Sequence, residues 1–126
     1  MKEIIHTEHA PAAVGPYSQG VKIGNLLFTA GQVPLDPATG KLVEGDMAVQ
    51  TERVMENLKA VLEAAGTSFD NVVKATVFLA DINDFAAMNG VYGRYFSENP
   101  PARSAFQVGA LPLGAKIEIE MIVSVE

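Results

Sequence analysis

The sequence predicts an α+β fold in which two helices pack on one face of a β-sheet. Its apolar residues follow the element order β-ββ-α-β-α-ββ over 126 residues. Two helices can cover only one face of a sheet of about five or six strands. The strand predicted over residues 72–80 is apolar on both faces, which is typical of a strand that is covered on both sides. The sheet face without helices is therefore expected to meet another subunit.

The N-terminal third predicts short strands separated by proline- and glycine-rich loops. The strands are predicted over residues 2–6, 21–23 and 26–29. Gly24 and Asn25 supply a two-residue hairpin turn between the second and the third. Proline and glycine favour turns, so residues 10–16 and 31–40 are expected to be loops.

The clearest helix is predicted over residues 46–65. Its apolar residues recur at helical spacing, while its charged residues lie on the opposite side. Asp46 is the expected N-cap, and Gly66 suits the left-handed position that follows a helix. The residues of the apolar face are Val54, Met55, Leu58, Val61, Leu62 and Ala65.

The C-terminal half predicts a second helix and two more strands. The helix is expected over residues 84–96, where Gly90 and Gly93 indicate close packing, and Asn99-Pro100-Pro101 ends it. Strands are expected over residues 103–108 and 116–125. The last strand alternates apolar and polar residues, so Glu118 and Glu120 share one face.

The composition excludes several kinds of site. The chain has no cysteine and two histidines, which excludes thiol nucleophiles and thiolate metal sites and makes a histidine-rich metal site unexpected. A net charge of −6 argues against nucleic acid and anionic membranes as partners. No apolar run reaches the roughly 18 residues of a membrane span. With no signal-peptide segment visible, a cytoplasmic protein is expected.

Arg103 is the first candidate for ligand binding. It follows a Pro-Pro-Ala turn at the start of a strand and has no charged neighbour in the sequence. A guanidinium fixed at a strand end can bind a carboxylate through two hydrogen bonds. A structural salt bridge or an exposed strand-end charge explains the same position, and this residue alone favours those simpler interpretations.

Three other residues have two interpretations each. Glu118 could hold or deprotonate a water molecule, or belong to a solvated strand face with Lys116 as its partner. Tyr17, at the exit of the first loop, could close a pocket or simply pack by its ring. Gly31 follows a buried strand, where backbone amides could face a ligand or merely form a turn.

Four blocks of sequence carry a more specific signal. They are APAAVGPYSQG at 10–20, TAGQVP at 29–34, NLKAVLEAAG at 57–66 and PARSAFQVGALPLGAKIEIE at 101–120. Together they resemble the Rid family of reactive intermediate deaminases, also called the YjgF family, and most closely its RidA branch. The last block, in which a strand glutamate follows an Arg-Ser pair, is the most specific.

The resemblance implies a chorismate-mutase-like α+β fold that forms one RidA-like domain over residues 1–126. It implies a homotrimer with a central barrel and with ligand clefts between subunits. The implied activity is hydrolysis of 2-aminoacrylate, 2-iminopropanoate and 2-iminobutanoate to 2-oxo acids and ammonia. The implied partners are these small 2-imino and 2-enamino acids, with no metal or cofactor.

The resemblance also assigns roles to residues. It implies that Arg103 binds the substrate carboxylate, that Glu118 positions the attacking water and that Tyr17 closes the pocket. The residues expected to line the pocket are Gly31, Asn89 and, through its backbone, Ala105. A carboxylate near Arg103 is expected to stay ionised, because a cation lowers its pKa.

The chain departs from the common RidA pattern at two positions. Ala30 stands where many members have serine, and Ala105 stands where many have cysteine or threonine. Both differences concern the range of substrates rather than the fold or the reaction.

Three functions remain open from the sequence. The first is the deaminase, and the second is a non-catalytic ligand sensor or interaction module on the same trimeric fold, because a fold does not fix a function. The third is nucleic-acid cleavage or translation inhibition, which has been attributed to some members. Arg103, Glu118 and Tyr17 favour the first, and the acidic charge disfavours the third.

Overall fold

The computed structural model describes residues 1–126 and contains one mixed six-stranded sheet with two α-helices. The strands are β1 (Glu3–Ile5), β2 (Gly20–Ile23), β3 (Leu26–Thr29), β4 (Val72–Leu79), β5 (Ala102–Gln107) and β6 (Ile117–Ser124). The helices are α1 (Met47–Ala64) and α2 (Phe85–Tyr92). The strand order is β1-β2-β3-β6-β4-β5, and only β4 and β5 pair in parallel. The element order predicted from the sequence is confirmed.

The core lies between the helices and one face of the sheet. The apolar face of α1 packs on alternate residues of the central strands, and α2 adds Met88 and Tyr92. Burial of each large aliphatic side chain stabilises the fold by about 1.5–3 kcal/mol. The fully buried residues of the central strands include Ala75, Val77, Leu79, Ile117, Ile119 and Val123.

The ends of α1 are as predicted. Asp46 is the N-cap, and its Oδ1 accepts a hydrogen bond from Val49 N over 3.0 Å. Such a cap stabilises a helix by about 1 kcal/mol. Gly66 follows the helix with a φ of +80°, a conformation that glycine adopts without strain.

The second helix is shorter than predicted, and its glycines are not closely packed within the chain. The α-helix ends at Tyr92 and continues as a 3₁₀ turn over Gly93–Tyr95, because glycine lowers helix propensity at that point. A Cβ added at Gly90 or Gly93 would meet no heavy atom within 4 Å. The prediction that these glycines mark close packing is therefore wrong within the chain.

Strand β4 contains a β-bulge near its start, and beyond the bulge its two faces differ in polarity. The register with β6 shifts between Val72 and Lys74, so Val73 is the extra residue. Beyond the bulge, the helix-facing residues are Ala75, Val77 and Leu79, and the opposite residues are Lys74, Thr76 and Phe78. On the face away from the helices, only Phe78 is apolar. The prediction that β4 is apolar on both faces is therefore confirmed on that face for Phe78 alone.

The sheet face away from the helices, called the open face below, is uncovered and partly apolar. Phe78 on β4 contacts Phe106 on β5 with ring centroids 5.4 Å apart. The exposed apolar residues of this face include Ile4, Ile23, Phe28 and Phe106. An apolar surface of this kind fits the expected contact with another subunit, and the number of subunits stays a prediction. Neither helix has both the length and the apolar character needed to cross a membrane.

Candidate active site

Arg103 projects from the helix-covered face of the sheet. In the strand register it lies beside Ala75 of β4, which in turn lies opposite Met121 of β6. Ala75 and Met121 are buried in the core under the helices. Side chains of directly opposed residues share a face, so the side chain of Arg103 extends toward α2.

One face of α2 surrounds the guanidinium of Arg103. Arg103 Nη1 donates a hydrogen bond to Asn89 Oδ1 over 2.6 Å. Arg103 Cζ lies 5.3 Å from the ring centroid of Phe85 and 4.9 Å from that of Tyr92. Positions 85, 89 and 92 are separated by four and three residues, which places them on the same side of a helix. The predicted site residue Asn89 is thus a direct partner of Arg103.

A cavity of about 500 Å³, called the arginine pocket below, opens beside this cluster. Its lining residues are Asn89, Tyr92, Gly93, Phe96, Pro100, Pro101 and Arg103. The Tyr92 hydroxyl is buried without a hydrogen-bond partner. Burial raises the pKa of Tyr92, and the charge of Arg103 opposes that rise in part. The pocket therefore presents one cation among neutral walls.

Glu118 projects from the open face, on the other side of the sheet. It lies opposite Phe78, and it is partly buried against the loop that follows β3. A Cβ on Gly31 would lie 2.8 Å from Glu118 Cδ. Two backbone hydrogen bonds between Gln32 and Ile119, of 2.9 and 3.1 Å, hold this loop against β6. Position 31 therefore requires glycine, because Glu118 occupies the space that a side chain at this position would need.

A second cavity of about 470 Å³, called the glutamate pocket below, has Glu118 in its wall. The other lining residues are Val14, Tyr17, Ala30, Gly31, Val33, Leu35, Pro112 and Leu113. Tyr17 is half exposed, and its hydroxyl accepts a hydrogen bond from Val14 N over 3.4 Å. The pocket brings three predicted site residues, Tyr17, Gly31 and Glu118, together in mostly apolar surroundings.

Burial and an acidic neighbour set the pKa of Glu118 within one chain. Burial raises it, and the nearby charge of Glu120 raises it further. Arg103 does not act on this carboxyl within one chain, because the two side chains lie on opposite faces of the sheet. The expectation that Arg103 keeps a nearby carboxylate ionised therefore stays a prediction for a site shared between copies.

Gln19 positions the loop that carries Tyr17, and sequence reasoning missed it. Gln19 is 2% exposed. Its Nε2 donates to the carbonyl oxygens of Thr7 and Pro11 over 3.0 and 2.8 Å, and its Oε1 accepts from Thr7 N over 2.8 Å. A lone glutamine before a strand carries no sequence signal of burial, so only the structure shows this role.

Asn57 was also missed, although a signal was present. It lies at helical spacing from Val54 and Val61 on the apolar face of α1 and is fully buried. Its Nδ2 donates to Leu35 O over 2.9 Å and to Val33 O over 3.3 Å. A polar residue in an apolar stripe indicates a buried hydrogen bond, which here anchors a wall of the glutamate pocket to α1.

Within one chain, the predicted site residues do not lie in a single pocket. Arg103 and Asn89 line the arginine pocket, whereas Tyr17, Gly31 and Glu118 line the glutamate pocket. Ala105 lies two residues beyond Arg103 on the edge strand β5 and lines neither cavity, so its role stays a prediction. No group of three or more His, Asp or Glu side chains is placed to hold a metal ion.

Comparison with known proteins identifies the family. A family model described as Endoribonuclease L-PSP matches residues 7–125. A solved Yersinia pestis structure, described as a protein of unknown function of the conserved Rid protein family, is 46% identical with a TM-score of 0.96. That match covers 98% of this chain and 99% of the other. The chain belongs to the Rid family. The resemblance seen in the sequence is thus confirmed, as is the sheet with two helices.

Other Rid family relatives carry different descriptions. A RutC family protein of Pyrococcus horikoshii is 58% identical over 122 residues, which are 97% of each chain. A 2-iminobutanoate/2-iminopropanoate deaminase of Bos taurus is 51% identical over 122 residues, covering 97% of this chain and 89% of the bovine chain. The structure of E. coli TdcF with bound serine is 45% identical with a TM-score of 0.93, covering 97% of this chain and 98% of TdcF.

Proposed function

We propose that the protein hydrolyses small 2-imino acids and their enamine tautomers, such as 2-iminobutanoate and 2-iminopropanoate, to 2-oxo acids and ammonia. The site lies between two copies of the chain in a homotrimer. The observation that carries this proposal is the separation of Arg103 and Glu118 into pockets on opposite faces of one sheet. A pocket that holds both residues requires a second chain.

Arg103 binds the substrate carboxylate. Its partner within the chain is the neutral Asn89, so its positive charge remains available to an anion. Charge-assisted hydrogen bonds from a planar guanidinium fix the plane of a carboxylate. Because the imine carbon is bonded to that carboxylate carbon, binding also orients the electrophile for attack.

Glu118 orients and deprotonates the attacking water. Water adds to the C=N carbon while Glu118 takes one of its protons and passes it to nitrogen, which gives a carbinolamine. Glu118 then moves the proton of the new hydroxyl group to nitrogen as the C=O bond forms, the C–N bond breaks and ammonia leaves. The products are a 2-oxo acid and ammonia. Within one chain, burial and the charge of Glu120 raise the pKa of Glu118, so its carboxylate accepts a proton more readily than that of an ordinary glutamate. Arg103 of the adjacent copy would oppose that rise in the assembled site.

The walls of the glutamate pocket suit a small aliphatic substrate. Val33, Leu35 and Leu113 are apolar, and Ala30 adds no hydroxyl. The ethyl or methyl group of the proposed substrates can lie against these side chains, while the carboxylate extends toward Arg103 of the adjacent copy. Tyr17 lies at the half-exposed edge of the pocket, where it can limit access of bulk water.

The relatives support a small-molecule substrate. The bovine relative is named a 2-iminobutanoate/2-iminopropanoate deaminase, and the E. coli TdcF structure holds serine, which is itself a small amino acid with a carboxylate. A ligand-binding module without catalysis is the alternative that such a serine-bound relative favours. The endoribonuclease description of the family model fits this chain less well, because a net charge of −6 opposes binding of a polyanion.

A coupled assay tests the proposed activity. Threonine dehydratase releases 2-iminobutanoate, and the formation of 2-oxobutanoate is followed with and without this protein. We expect the wild type to accelerate hydrolysis above the spontaneous rate and the Glu118→Gln variant to do so far less. A wild type without acceleration would contradict the deaminase, and retained 2-oxobutanoate binding would then favour the ligand-binding alternative.

The proposed assembly has its own test. Light scattering on the full chain should report the mass of a trimer at micromolar concentration, because the apolar open face is uncovered in a single chain and the family resemblance implies three copies. A stable monomer would remove the shared site, and the proposed function with it.

A further inference from the structure

We propose that Phe85 and Tyr92 are positioning residues, whose ring faces hold the Arg103 guanidinium and thereby set the affinity of the site for carboxylate ligands. This inference rests on the proposed function, in which Arg103 binds the substrate carboxylate. It adds two residues that neither the sequence motifs nor the family resemblance assigned to the site.

The geometry of α2 supports this role. Phe85, Asn89 and Tyr92 lie on one side of the helix, and all three contact the same guanidinium. A cation within about 6 Å of an aromatic centroid is attracted by the ring face, and both rings meet this distance. The arginine is thus held by one helix face rather than left free to sample rotamers.

The cluster holds the cation without neutralising it. Its hydrogen-bond acceptor is an amide oxygen, and its other two contacts are aromatic faces. A carboxylate in place of Asn89 would pair with the guanidinium and compete with the substrate. Ring faces take up none of the in-plane N–H donors, so those not used by Asn89 remain available to a bound carboxylate.

Tyr92 could act through its ring face or through its hydroxyl group, and substitutions can distinguish the two. Tyr92 is 5% exposed, and its hydroxyl has no hydrogen-bond partner. If the ring face is what matters, Tyr92→Phe keeps the function and removes an unsatisfied buried group, which is expected to be neutral or stabilising. Tyr92→Leu removes the ring and should weaken carboxylate binding.

Calorimetric titration of the full-length protein with 2-oxobutanoate tests the proposal, together with steady-state kinetics on the same samples. We expect about a 3- to 30-fold rise in Kd and in KM for Phe85→Leu and Tyr92→Leu, with kcat changed much less. Tyr92→Phe should retain the wild-type Kd. Phe85 is only half-buried, so Phe85→Leu decides the matter if Tyr92→Leu does not fold.

Phe69→Leu is the matched control. Phe69 is a half-buried aromatic residue that packs on Tyr95 and Phe96, with ring centroids 5.2 and 5.5 Å away, and it lines neither pocket. Its substitution should lower the melting temperature and change the Kd for 2-oxobutanoate much less than Phe85→Leu does, because Phe69 reaches the arginine pocket only through Phe96. A Kd that shifts equally in Phe69→Leu and Phe85→Leu would show a general loss of structure and overturn the proposal.

Two further outcomes are decisive. A wild-type Kd in folded Phe85→Leu and Tyr92→Leu, or a Tyr92→Phe variant as weak as Tyr92→Leu, would overturn the role of the ring faces and leave the deaminase proposal intact. The reverse result is also informative. If the affinity for 2-oxobutanoate depends on these two rings but the wild type does not accelerate imine hydrolysis, the positioning role would be supported and the proposed reaction contradicted.

Discussion

Arg103 and Glu118 extend from opposite faces of the same sheet. The register β6-β4-β5 aligns Arg103 with the core residues Ala75 and Met121, whereas Glu118 is aligned with Phe78 on the open face. Neighbouring residues in such a row share a face, so no change of rotamer brings the two side chains together through the sheet. Two copies of the chain are needed for both to contact one substrate.

Glu118 and Glu120 share the open face, but only Glu118 lines the glutamate pocket. Glu118→Gln keeps the size of the side chain and removes the base, so we expect turnover to fall by about 10²–10⁴-fold. Glu120→Gln is the matched control and should change turnover much less. The measurement is kcat with enzymatically generated 2-iminobutanoate, and equal effects in the two variants would contradict the assigned roles.

The raised pKa of Glu118 predicts a pH-dependent stability. In the folded chain, burial and the charge of Glu120 raise this pKa above its unfolded value. The folded state thus binds the proton more tightly, and the contribution of this carboxyl is complete below the unfolded pKa and is lost as the pH rises through the folded pKa. Glutamine has no charge at any pH. The melting temperature of Glu118→Gln should therefore rise relative to that of the wild type as the pH increases from about 4 to about 7.

Thermal unfolding over this pH range measures the difference directly. A difference that does not depend on pH, or that has the opposite sign, would contradict this prediction and show that Arg103 of the adjacent copy outweighs the effects of burial and of Glu120 in the assembled protein.

Much of the fold followed from local pattern, whereas the pairing of strands did not. Helical spacing and capping residues predicted α1 from Asp46 to Gly66, and alternation predicted β6. The face on which Arg103 lies depends on the parallel register of β5 with β4, and a shift of one residue would move it to the other face. Local sequence does not encode that register, so residue patterns alone could not predict that Arg103 and Glu118 lie on opposite faces; only the family resemblance implied clefts between subunits.

The site was predicted from the family resemblance more than from residue chemistry. Arg103, Glu118 and Tyr17 each had a plain structural interpretation, and the resemblance singled them out. The supports of the site were missed for a physical reason: Gln19 and Asn57 act through hydrogen bonds to distant backbone carbonyls. Which carbonyl lies near a side chain is known only after the chain has folded.

Gly31 and Gly90 offer a matched pair of glycine substitutions. Gly31→Ala would place a methyl group 2.8 Å from Glu118 Cδ and displace the carboxylate, so we expect a loss of turnover of at least about 10-fold. Gly90 lies in α2 with open space around it, so Gly90→Ala should raise the unfolding free energy by about 0.5–1 kcal/mol. Activity and melting curves of both variants test the two statements, and an active Gly31→Ala would show that Glu118 can move without consequence.

Arg103→Lys keeps a positive charge but loses the planar fork. Loss of at least one charge-assisted hydrogen bond, worth about 1.5–3 kcal/mol, predicts a fall of about 10- to 150-fold in kcat/KM. A purely structural arginine predicts the reverse pattern, with a nearly normal rate and a lower melting temperature. Rate and melting temperature are therefore measured on the same purified variant.

Complementation between two inactive variants tests the shared site most directly. Arg103→Gln and Glu118→Gln chains are each purified, mixed in equal amounts, unfolded and refolded together, and assayed for 2-iminobutanoate hydrolysis. If Arg103 of one copy and Glu118 of another form each site, mixed oligomers contain some sites with both residues intact, and random assembly should restore about a quarter of the wild-type rate. If each chain carried a complete site, the mixture would be no more active than the separate variants, and that result would contradict the account.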